Sequence, residues 1–73
     1  MQPGDLVVTD LSKQMYEDIS THHRLFAGTF FERSVGILLD MGYSLTDMPY
    51  LKIMTDRGIT GWIRPEGLQV FSP

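Results

Sequence analysis

The groups most able to do chemistry in this chain are the adjacent histidines His22 and His23, the paired carboxylates Glu17 and Asp18, and scattered hydroxyls at Ser12, Ser20, Ser34, Ser44 and Ser72. Neighbouring side chains point to opposite faces of a strand, and they diverge by about 100° on a helix. His22 and His23 are therefore poorly placed to share one ion. A structural zinc needs four ligands and a catalytic one needs three plus an open position. No H-x-x-x-H or H-E-x-x-H occurs and cysteine is absent, so no metal site is expected. None of the serines sits in G-x-S-x-G, and Glu17 and Asp18 cannot flank one substrate atom. The glycines form neither G-x-G-x-x-G nor G-x-x-x-x-G-K, which leaves no phosphate loop. The pattern predicts a protein that is not an enzyme and holds no cofactor.

The elements that must position any site read mainly as strands. Asp5 to Thr9 is short and β-branched. Val35 to Met41 follows the same rule, with Val35, Ile37, Leu39 and Met41 expected on one face. Residues 42 to 49 form a turn-rich connection, and Tyr50 to Thr55 alternates again. Asp56-Arg57-Gly58 suits a short hairpin loop with Gly58 left-handed, returning through Ile59 to Arg64. Arg64-Pro65-Glu66-Gly67 reads as one tight turn before a last strand at 68 to 71. Residues 10 to 34 leave two options open. Asp10 could cap a short helix carrying Leu11, Met15 and Ile19 on one stripe, or the stretch could be an irregular hairpin arm. The expectation is an all-β domain of about five strands, closed or half closed, with an extended first loop at 10–34. Closure would remove exposed edges. A barrel this small lacks the roughly 300–1,000 Å³ of an ordinary ligand pocket.

Aromatic residues carry the strongest hint of function. With Ile53, Ile63, Leu68 and Val70 inside, alternation sends Tyr50, Lys52, Met54, Trp62 and Phe71 outside. An outward Trp–Tyr face is either covered by another segment or serves as a binding surface. Residues 11 to 33 must bury Leu11, Met15, Tyr16, Ile19, Leu25, Phe26, Phe30 and Phe31 somewhere, so part of that face is expected to be covered. Tyr50, Lys52, Trp62, Phe26, Phe30 and Phe31 are the candidate protein-binding residues, because large rigid aromatics dominate interface energetics.

Several motifs also resemble a known family. Tyr50-Leu51-Lys52-Ile53, Asp56-x-Gly58, Gly61-Trp62-Ile63 and Leu68 resemble the second half of a bacterial SH3-type domain. Pro3-Gly4-Asp5-Leu6-Val7-Val8 is similar to the opening of other SH3-like small barrels. With Gly36-Ile37-Leu38-Leu39-Asp40 between them, the combination is similar to short proteins of tailed bacteriophages. The resemblance implies a single SH3-like domain over 1–73 that binds protein. In a phage it would engage a host protein or assemble into the virion, which places it in the host cytoplasm or the particle. Two further functions follow from the same resemblance: a cell-wall (peptidoglycan) binding module, or a small accessory subunit of a redox complex.

Charge narrows the partners. Nine carboxylates against six Lys and Arg leave −3 over 73 residues, and the cations stand singly. Nucleic-acid affinity rests on clustered Lys and Arg displacing counterions from phosphates, so nucleic acid is disfavoured, as are anionic membrane surfaces. No uncharged run approaches the ~18–20 residues of a membrane helix. Met1 to Asp5 has neither the basic nor the apolar region of a signal peptide. The expected partner is another protein or a second copy of this small acidic chain.

Overall fold

A computed structural model describes residues 1–21 and 25–71. Every regular element in it is a strand: β1 (Leu6–Thr9), β2 (Lys13–Tyr16), β3 (Phe26–Phe30), β4 (Val35–Tyr43), β5 (Pro49–Thr55), β6 (Thr60–Ile63) and β7 (Leu68–Val70). They form one antiparallel sheet in the order β3-β2-β6-β5-β4-β1-β7. The all-β expectation holds. The strand count rises from five to seven, and the sheet is not closed, since β3 and β7 remain its two ends.

The two extra strands come from residues 10 to 34, which form a hairpin rather than a helix among the described residues. Of the expected helical stripe only Met15 enters the core, whereas Leu11 is 69% exposed. As a strand, β2 pairs with β3 on one edge and meets β6 on the other, at Tyr16 opposite Trp62. Backbone groups that a lone helix would satisfy internally are here satisfied across strands, and β6 gains cover for its edge.

Period-two alternation builds the core. Val7, Met15, Phe30, Leu38, Leu51, Ile53 and Ile63 meet on the inner face, with Ala27, Ile59 and Leu68 packed against them. Val70, expected inside, is instead exposed near the sheet's end. In β4 a bulge interrupts the alternation. Leu38 lies opposite Ile53 and Asp40 opposite Lys52, so Leu39 has no direct partner. The bulge moves Met41 onto the face of Leu51 and separates it from Ile37, which faces out with Met54. Val35, Ile37, Leu39 and Met41 therefore do not share one face.

The turns follow their residues. Gly58 adopts φ 79°, donates its N–H to the Thr55 carbonyl at 3.0 Å, and closes the β5–β6 hairpin. The Thr55 hydroxyl accepts the N–H groups of Arg57 and Ile59, which ties the loop to a buried side chain. Leu68 donates to the Pro65 carbonyl at 3.1 Å across the second expected turn. The long β4–β5 hairpin, tipped by Ser44 to Met48, runs past the ends of its neighbours.

Candidate functional site

Cross-strand register assembles an aromatic row on the outer face. Phe26 lies opposite Tyr16, Tyr16 opposite Trp62, Trp62 opposite Lys52, and Lys52 opposite Asp40. Residues directly opposite on one face of an antiparallel pair stand within contact range, so this register alone aligns their side chains. The Tyr16 and Phe26 ring centroids are 5.4 Å apart, tilted by 32°. The Lys52 ammonium lies 5.9 Å from the centre of the Trp62 ring, a cation–π contact. Phe26 is 61% exposed at the open end of the row, and Tyr16, Trp62 and Lys52 are each half-buried.

Part of the outer face is covered by the segment after β2, although Leu11, Leu25, Phe26 and Phe31, expected to be buried, stay exposed. A Cβ placed on Gly42 would stand 3.4 Å from Trp62 ring carbons and 3.7 Å from Ile19 Cδ1. Both side chains therefore lie over Gly42, and Ile19 brings the segment after β2 back onto the indole. Beneath the row, Tyr50 is on the expected face but only 2% exposed, which removes it as a contact residue. Tyr16 meets it edge-on at 6.4 Å, and the Arg64 guanidinium lies 5.4 Å from its ring centre. Arg64 Nη2 in turn donates to Glu66 Oε1 at 2.7 Å. That hydrogen bond holds the Glu66 carboxyl well below its ordinary 4.5, at about 2, and raises the Arg64 guanidinium.

The three phenylalanines separate. Phe26 joins the row, while Phe30 is fully buried in the core and cannot contact a partner. Its position in β3 opposite Lys13 turns it inward, one face away from what its neighbour Phe31 presents. Phe31 is exposed beyond the end of β3, with the Arg57 guanidinium 5.8 Å from its ring centre. Thus Phe26, Lys52 and Trp62 share one site, Tyr50 supports it, and Phe30 and Phe31 lie outside it. Tyr16, which bridges Phe26, Trp62 and Tyr50, is not among the sequence candidates because its segment carries a helical and an extended pattern at once. Its period-two relation to Gln14, with Met15 turned to the core between them, is the signal for it.

Among the described residues no group of three or more His, Cys, Asp or Glu is placed to hold a metal ion. His22 and His23 lie outside the described residues. Asp18 accepts the N–H and the hydroxyl of Ser20, at 2.8 and 2.7 Å, which lowers its carboxyl. Glu17, Asp18, Thr21 and Leu25 line an open hollow of about 360 Å³ next to the Tyr16 and Phe26 end of the row. A smaller cavity of about 120 Å³ lies among Thr29, Ser34 and Arg57. Among the described residues no helix is long and apolar enough to cross a membrane. The class defined is an all-β domain with an outward aromatic row. Comparison with known proteins gives no match to the chain, whether family model, curated relative or solved structure.

Proposed function

We propose that this protein is a non-catalytic binding module that docks a partner protein on the outer aromatic row. One observation carries the reading: Phe26 stands 61% exposed in direct continuity with half-buried Tyr16 and Trp62. Aromatic side chains give large contact area at low conformational entropy. Mounted on paired strands they are ordered before binding, which lowers the cost of association. Exposed Glu17 and Asp18 at the same end suit a partner that sets Lys or Arg beside its apolar contacts. The resemblance to SH3-type domains is supported by the sheet order, in which β6, β5, β4, β1 and β7 are consecutive neighbours. The β2–β3 hairpin then stands where such a barrel carries its first loop. On the phage reading, the partner is a host protein or a virion component.

Phe26→Ala and Phe31→Ala test this together, because both residues are exposed and only the first belongs to the row. Used as baits in one host lysate, wild type and Phe31→Ala should recover the same partner. Phe26→Ala should lose it, with binding weakened by ~2 kcal/mol or more, about 30-fold. Equal recovery by all three proteins would refute the row as the docking site.

A further inference from the structure

The outer part of β4 leaves one edge open among the described residues. β1 and the two residues before it accompany β4 only as far as Leu38, whose carbonyl accepts the Gly4 N–H and whose N–H donates to the Asp5 carbonyl. Beyond the bulge at Leu39, residues Asp40 to Tyr43 pair with β5 alone among the described residues. At the tip, Ser44 donates to the Met48 carbonyl at 2.9 Å. Hydrogen-bonded and non-bonded pairs alternate in an antiparallel ladder. Gly42 therefore bonds toward Tyr50, whereas Met41 and Tyr43 turn their backbone groups away from β5, onto the free edge.

That edge is flanked by apolar side chains, with Met41 52% and Tyr43 72% exposed. An open, apolar edge strand is a template for a strand from another chain, and a second copy offers the same edge in antiparallel register. Asp40 Oδ1 accepts the Met41 N–H at 2.8 Å. The first donor that an incoming strand would need is thus already occupied, by a carboxylate that also sets a negative charge on the edge. We infer that Asp40 is an edge guard, which keeps the β4–β5 arm from pairing with the same edge of a second copy. Asp40 also ends the row beside Lys52, but its bond to the Met41 N–H acts on the edge and not at the docking aromatics.

The test compares wild type with Asp40→Ala and Asp40→Asn. The asparagine keeps an acceptor oxygen at the same place and removes the charge. In dilute solution the Met41 amide should exchange at least about tenfold faster in Asp40→Ala than in wild type, the loss of a charge-assisted bond. On concentration, Asp40→Ala should associate by light scattering and its Met41 and Tyr43 amides should slow. Wild type and Asp40→Asn should stay monomeric at the same concentration. Adding Phe26→Ala to Asp40→Ala should leave the association intact, which separates this edge from the docking face. Monomeric Asp40→Ala with unchanged Met41 exchange would overturn the guard. Equal association of Asp40→Asn and Asp40→Ala would overturn the hydrogen bond as its means.

Discussion

Gly61→Ala should be the most damaging single methyl in this protein. Gly61 is buried on the inner face of β6, opposite Ile53, where β2 crosses close above it. A Cβ there would lie 2.8 Å from Met15 Cβ, 3.2 Å from Ala27 Cβ and 3.2 Å from the Tyr16 carbonyl oxygen. None of these is the end of a flexible side chain. Met15→Ala could not relieve the clash, because the contact is with the Cβ that alanine keeps. The β2–β3 hairpin must move away from β6, at the cost of the Tyr16–Trp62 pairing and of core contacts made by Met15. Overpacking of this kind costs about 1–3 kcal/mol, and backbone displacement places it at the upper end. A domain of 73 residues has roughly 4–11 kcal/mol in total. At ~4–8 °C per kcal/mol, Tm should fall by ~12–24 °C. Thermal unfolding followed by circular dichroism measures it, and Trp62 emission should shift red in the folded variant as the hairpin lifts. A Tm within about 2 °C of wild type would refute the close approach of β2 to β6.

Gly58→Ala offers a contrast, since nothing lies within 4 Å of its added Cβ and only its φ of 79° opposes the change. The left-handed penalty of about 1–2 kcal/mol should lower Tm by ~4–16 °C, and a neutral effect would contradict the loop conformation. Glu66 supplies a pH test. Its folded value of about 2 lies below its ordinary 4.5, so its pairing with Arg64 stabilises fully above about 4.5 and fades as pH falls to about 2. Glu66→Gln should therefore lower Tm at neutral pH and match wild type at pH ~2; the same deficit at both would show that charge plays no part.

The strands at 50–55 and 60–63, the Gly58 hairpin and the Pro65 turn were legible because their determinants are local. Alternation of Leu51, Ile53 and Thr55, and a glycine where φ must be positive, act within a few residues. The outward direction of Trp62 and Lys52 followed from the same period of two. What escaped local reading was everything set by a partner strand distant in sequence. Residues 13–16 carry a helical and an extended pattern at once, and pairing with β6 resolves them as β2. The bulge at Leu39 reverses which face Met41 occupies, and it is a property of register between β4 and β5 rather than of either sequence. Tyr50 and Trp62 share an outer face by alternation, yet one is buried and the other half-open. Tyr16, Arg64 and Ile19 arrive from elsewhere in the chain to cover them unequally. Periodicity assigns a side chain to a face; how much of that face stays in contact with water depends on long-range packing that no local pattern encodes.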